Sequence, residues 1–373
     1  MRISKWHHLA YCTNVHPAES WEETKGVLET EVLKVRDGLR EKGHLKGEFA
    51  IGLRLSARAA RELLEGEELK RFQRWLEENG CYVFTINGFP YGDFHGTRVK
   101  ENVYRPDWTT RERLDYTLDL FEIISVLAPV DGGGSVSTLP GSFKEFEADE
   151  EAMIQNLEIC AYRIEELAEA TGKDLHLGLE PEPLGHFENT RETLEFFGRM
   201  FAACEDEELM RRRVGVNYDC CHFAIEFDEC RESLEKFREA GIRISKVHLS
   251  SALEFEAGSE TELRQFEEPT YLHQVILEKG GELKRWRDVP DFLKSGESGR
   301  GRCHFHVPLY AEAAEPLGTT QEHVQEMLDY CMERPEFCGH FEIETYTWGV
   351  LPEGLQTDLT EMIVKEYEWV FEH

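Results

Sequence analysis

The chain has 373 residues, 40% of them apolar, which suffices for one large domain or two small ones with a substantial core. Its 42 basic residues face 74 acidic ones, and the resulting net charge of −32 repels phosphate backbones and anionic lipid. Sequence-independent nucleic-acid binding rests on clustered Lys and Arg, so this composition argues against it. The same charge suits a protein kept soluble in a salty cytoplasm, although ordinary cytosolic proteins reach it as well.

The first residues, "MRISKWHHLAYCTNVHP", lack the apolar stretch and small-residue cleavage site of a secretory signal. Among the longest apolar runs is "FEIISVLAPV", which stops at Pro129, short of a membrane span. We expect a cytoplasmic protein without membrane insertion. Ten cysteines are present and none forms a C-x-x-C pair, so we expect small buried hydrophobes in a reducing compartment.

In chain order, eight short β-like runs recur. They are "LAYCTN" (9–14), "IGLRLS" (51–56), "YVFTIN" (82–87), "SVST" (135–138), "LHLGLE" (175–180), "VGVNYD" (214–219), "ISKVHLS" (244–250) and "HFEIETY" (340–346). Amphipathic stretches separate most of them. Ser20-x-x-Glu23 and Asn189-x-x-Glu192 have the form of capping boxes. Leu69, Phe72 and Leu76 follow helical spacing up to Gly80; Leu157, Ala161, Ile164 and Ala168 do so up to Gly172. Leu194, Phe197 and Phe201 repeat the pattern, and a last helix around Leu359–Val370 closes the series. Strands alternating with helices imply parallel pairing, and eight units predict a (β/α)8 TIM barrel spanning 1–373 as a single domain. A doubly wound sheet is the alternative, but the first βα junction has no glycine fingerprint.

One interval breaks the rhythm. The segment from Ala252 to Arg302, between strands seven and eight, is polar, helical in parts, and ends in "KSGESGRGR". It reads as an elaborated loop insertion forming a lid over the barrel mouth, with a solvated insertion as the ordinary alternative. "CHFHVPLY" follows it as a short strand with His304 and His306 on one face.

Chemistry on such a barrel gathers where strands end. Strand five ends in Glu180, strand six in Asp219, strand seven carries His248, and strand eight carries Glu342 and Glu344. Carboxylates that close repel one another, and a divalent cation removes most of that cost. Mixed carboxylate and imidazole donors suit Mn, Mg, Co, Fe or Zn. Two ambiguities stay open: Glu180 is favoured over Glu182 as ligand, and Glu344 over Glu342 because it is nearer the loop end. In "DCCH", Asp219 is the ligand candidate, His222 a substrate-contacting or carboxylate-orienting neighbour, and Cys220 and Cys221 packing residues of the turn. The loop "NGFPYGDFHGTRVKENVYRPDW" (87–108) has the makeup of a pocket wall, with Phe89, Tyr91, Phe94, Tyr104 and Trp108 for apolar area and Asn87, His95 and Arg98 for polar contacts. Asn87, His95, Arg98, Trp108, Glu182, His222 and His306 are the substrate-binding candidates.

The order Glu, Asp-x-x-His, His, Glu on strands five to eight resembles the xylose isomerase-like TIM barrels, which include sugar-phosphate isomerases and epimerases. Within them "HLAYCTNVHPAESW", "IGLRLSARAA", "FTINGFPYGDFHGTRVKENVYRPDW", "LEPEPLGHFENT" and "IETYTW" resemble the EboE family of metabolite traffic proteins. The resemblance implies one divalent metal held by Glu180, Asp219, His248 and Glu344, with Glu180 and Glu344 also moving protons beside a carbonyl. It implies a metal-dependent isomerase or epimerase-like enzyme acting on a small hydroxycarbonyl compound, with a non-catalytic metabolite-binding protein as the alternative. A small-molecule metabolite is the expected partner, and the oligomeric state, a homo-oligomer included, stays open.

Overall fold

The computed structural model describes residues 1–89, 104–267, 272–311, 316–347 and 358–373. Eight parallel strands surround the chain's centre: β1 (His8–Tyr11), β2 (Phe49–Arg54), β3 (Cys81–Asn87), β4 (Gly134–Thr138), β5 (Leu175–Leu179), β6 (Val214–Asp219), β7 (Ile244–Leu249) and, after an insertion, the strand His340–Ile343. Every residue of these strands but one is buried, as expected of parallel strands covered on both faces. The last strand lies between β1 and β7, and the others follow in sequence order, which bends the sheet into a barrel. Seven of the eight joints are hydrogen-bonded ladders; β1 and β2 are joined by a single bridge, Cys12 to Gly52.

The helices begin and end for local reasons. Ser20 and Glu23 form the expected reciprocal cap of Trp21–Val27. Asn189 caps Thr190–Ala203 by accepting from the Glu192 N–H, but the Glu192 carboxylate turns to the Glu188 N–H instead of closing the box. Gly80 and Gly172 end Glu68–Asn79 and Glu150–Thr171 in the left-handed region, at φ 60° and 68°. The last helix, Leu359–Glu372, packs against Leu33–Glu41.

The insertion differs from the polar, partly helical loop expected for 252–302. It is an antiparallel five-stranded sheet of β8 (Ser251–Phe255), β9 (Val275–Lys279), β10 (Glu282–Trp286), β11 (Arg300–Val307) and β12 (Leu317–Thr319), so His340–Ile343 is β13. Among the described residues its helical content is the turn Glu260–Phe266 and the helix Val289–Ser295. The reason is turn chemistry: Lys279 pairs with Glu282 across Gly280 and Gly281, both at positive φ, which is a two-residue hairpin loop. β10 is largely exposed, and that polarity hid the strand.

At the N-terminal end of the barrel the interior is polar. His8 bonds Tyr82 Oη at 2.7 Å, His340 bonds Ser135 Oγ at 2.9 Å and the Gly132 carbonyl at 2.8 Å, and His176 bonds Ser245 Oγ at 2.5 Å. All ten cysteines are free, and all but Cys204 are buried. Among the described residues no helix is long and apolar enough to cross a membrane.

Candidate metal centre

The ladders set the site. Asp219 on β6 and Glu342 on β13 are both register partners of His248 on β7, so three polar side chains share one level of the barrel. Glu180, one residue past β5, is held beside them by its N–H bond to the Thr138 carbonyl. Ligand atoms of Glu180, Asp219 and His248 lie within 4.8 Å of one another, and all three residues are buried.

Asp219 does two jobs. Its Oδ1 caps the helix Cys220–Ile225 by accepting from the His222 N–H at 2.9 Å and also accepts from Ser250 Oγ at 2.7 Å. Its Oδ2 makes no hydrogen bond and stands 3.6 Å from His248 Nδ1. The bend expected after Asp219 is thus this short helix. His248 Nδ1 is 3.0 Å from Glu180 Oε1, while Nε2 faces Glu342 Oε2 at 3.0 Å. Glu342 accepts from Lys246 Nζ at 2.6 Å, and both members of that pair are fully buried. A carboxylate accepting the Nε2–H fixes the ring so that Nδ1 points at Glu180 and Asp219, the usual support of a metal-bound histidine.

Glu344 lies just beyond β13, outside the three-residue group. Its carboxylate accepts from Asn14 Nδ2 at 2.8 Å and lies 3.0 Å from His306 Nδ1. Of the two glutamates on this strand, Glu342 faces the barrel interior and binds Lys246 and His248. His222 faces the Pro181 carbonyl and His304, with Glu180 3.8 Å away. Glu182 is part-buried beside Tyr104, whose hydroxyl donates to the Pro183 carbonyl. Asn87, at the end of β3, is buried with both amide atoms unpartnered. Trp108 is fully buried and donates to Thr138 Oγ1 at 3.2 Å, a packing position. His95 and Arg98 lie outside the described residues.

Electrostatics follow from this crowding. Burial opposes the ionised form of Asp219, yet His222, His306 and His248 hold it well below the usual carboxylate range. Burial likewise opposes protonation of His248, and Glu180 and Asp219 overcome it, raising the imidazole well above its ordinary value. Burial and the Glu180 charge push Glu182 well up.

Glu180 Oε2, Asp219 Oδ2 and Glu342 Oε1 are buried acceptors without a hydrogen bond. Each such atom costs about 1–3 kcal/mol; a cation between Glu180 and Asp219 removes that cost for those two, while Glu342 Oε1 points at Gly52. Two carboxylates and an imidazole are a donor set for a divalent metal. The residues present fit one.

Asn14, Lys246 and Glu342 complete the centre. Lys246 and Glu342 had a signal: each shares a strand face with an assigned residue two positions on, His248 and Glu344. Asn14 had none.

No family model and no curated protein matches the sequence. Among solved structures, a xylose isomerase domain protein from Planctomyces limnophilus aligns over 98% of this chain and 95% of its own, at 11% identity and a TM-score of 0.51. The fold is a xylose isomerase-like TIM barrel. A D-tagatose 3-epimerase-like protein aligns over 98% of this chain and 96% of its own at 15% identity and TM-score 0.49. The IOLI protein with a binding zinc atom gives the same coverage at 13% identity and TM-score 0.49. This xylose isomerase-like barrel differs from a bare eight-unit ring by the antiparallel sheet packed on Cys220–Ile225.

Proposed function

We propose that the chain is a divalent-metal-dependent isomerase or epimerase-like enzyme acting on a small hydroxycarbonyl metabolite. The observation that carries this is the convergence of Glu180, Asp219 and His248, with unpartnered carboxylate oxygens, at the C-terminal ends of three successive strands. These three residues would hold the ion, with Glu344 as the fourth ligand in this reading. A divalent cation there polarises a substrate carbonyl and offsets charge developing on its oxygen.

The chain's own groups supply the rest. Glu344, positioned by Asn14 and His306, takes a proton from the carbon beside the carbonyl, and Glu180 returns one from the other side. Asn87 offers an amide to a substrate hydroxyl or carbonyl. Incubating a panel of aldoses and ketoses with the protein, manganese and D2O tests this: deuterium enters the carbon next to the carbonyl. Glu344→Gln lowers the rate by about 10²–10⁴-fold; exchange unchanged in that variant refutes the assignment.

The resemblance to EboE proteins supports a second reading, in which the same barrel binds a secondary-metabolite precursor without converting it. Tyr104 and Phe143, with ring centres 4.7 Å apart, supply buried aromatic area near Glu182. Retention of an aromatic or prenylated compound with no exchange or turnover distinguishes this case.

A further inference from the structure

We infer that the chain carries a second cation site, made by Cys221, His304 and His306 with His222 at its edge, that takes a borderline divalent ion of the zinc class. Counting protons on three imidazoles leads there. His222 Nδ1 lies 3.0 Å from the Pro181 carbonyl, which can only accept, so Nδ1 carries a proton and Nε2 points elsewhere. Gln274 donates its amide N–H to the Pro183 carbonyl, which turns its Oε1 toward His304 Nδ1 at 2.7 Å; that nitrogen carries the proton too. His306 Nδ1 faces the Glu344 carbonyl at 2.7 Å and the Glu344 carboxylate at 3.0 Å, so it also donates.

With the three Nδ1 atoms engaged, the Nε2 atoms are left. Those of His222 and His304 face each other at 3.0 Å. That of His306 is buried and has no hydrogen bond. Two imidazole nitrogens at this distance repel unless a proton or a cation lies between them. Two imidazole ligands of a tetrahedral zinc stand about 3.3 Å apart, from bond lengths of about 2.0–2.1 Å. The His222–His304 pair alone stands a few tenths of an ångström short of that separation.

The surroundings agree. Ligand atoms of Cys221, His304 and His306 lie within 4.8 Å of one another, as do those of Asp219, His222 and His306. His304 and His306 alternate on β11, which packs on the helix that carries Cys221 and His222. Every histidine donates its other N–H to an oxygen, which is the outer support a metal-bound imidazole needs. The centre of Glu180, Asp219 and His248 is rich in carboxylate oxygen; this one offers imidazole nitrogen and a thiol, a set that favours zinc or cobalt over magnesium. Asp219 belongs to both groups, which makes the pair a two-ion centre. The second site rests on the proposed function only through that shared residue.

The test counts metal on the whole chain. Protein stripped by chelator is dialysed to equilibrium against zinc alone, and bound metal is measured for wild type, His304→Ala and Glu180→Gln. Two equivalents in wild type and one in His304→Ala are expected. Gln274→Leu leaves all ligands in place and weakens the second equivalent by about 10–100-fold, so a folding failure of His304→Ala does not stand in for the result. Cobalt loading of wild type adds an optical signature: intense visible bands of a nitrogen-rich tetrahedral ion, which His304→Ala removes. One equivalent in wild type, or a second equivalent unaffected by His304→Ala and Gln274→Leu, overturns the inference and means that His222 and His304 share only a proton. Loss of an equivalent in His304→Ala with none in Glu180→Gln leaves this site standing and removes the first.

Discussion

Lys246 is the residue whose removal tells most about how the centre is held. Its ammonium lies 2.6 Å from Glu342, and neither side chain reaches solvent. At an effective dielectric of about 20 that separation corresponds to about 6 kcal/mol of attraction, much of it offset by the cost of burying both charges. Lys246→Met preserves most of the volume and leaves the Glu342 carboxylate with His248 as its remaining partner. Breaking a buried pair from one side costs about 3–5 kcal/mol, and urea unfolding followed by two spectroscopic probes reads that loss directly. Adding Glu342→Gln removes the stranded charge, so the double variant is more stable than Lys246→Met alone. The non-additivity measures the coupling. A loss below about 1 kcal/mol in the single variant, or strict additivity in the double, refutes the account of Lys246 as the support beneath His248.

Acid stability is set at the other end of the barrel. Burial, reinforced by His340 and Arg2, pushes His8 down to about 3, and burial pushes His340 down to about 4. Unfolded imidazoles take up protons near about 6.5, which the folded state refuses until pH 3–4. Stability is therefore full above about 6.5 and falls on acidification by about 1.4 kcal/mol per unit for each histidine. His340→Asn lowers that slope by about one proton in urea midpoints measured from neutral pH downward; an unchanged slope contradicts the argument. At Gly52 an added Cβ would lie 2.1 Å from Glu342 Oε1 and 2.5 Å from the Tyr11 carbonyl. Gly52→Ala is expected to cost at least about 1–3 kcal/mol. Gly198→Ala, on a helix with nothing within 4 Å, gains about 0.5–1 kcal/mol. Equal melting temperatures for the two variants would dismiss the steric role of Gly52.

What the letters revealed depended on whether a residue interrupts a pattern. Glu180, Asp219 and His248 stand out because each is a polar group at or near the end of an apolar strand. The barrel itself was readable for the same reason, since eight apolar runs alternate with helical periods. Lys246 and Glu342 sit inside their strands, where charge is unexpected, and only the alternation of faces links them to their neighbours. The place of the insertion was legible, but its sheet was not, because β10 turns most of its side chains to solvent and its polarity imitates a loop. Nothing in a one-dimensional string aligns His304 with His222, because 82 residues separate them.

The single bridge between β1 and β2 gives the ring a clasp. Every other joint is zipped by backbone amides, whereas this one closes through side chains, with Tyr11 leaning on Phe49 and the Glu342 carboxylate filling the space that Gly52 vacates. Amides along β2 that face β1 are thereby expected to trade hydrogen for solvent deuterium before those of β6 and β7, the wall that carries Asp219 and His248.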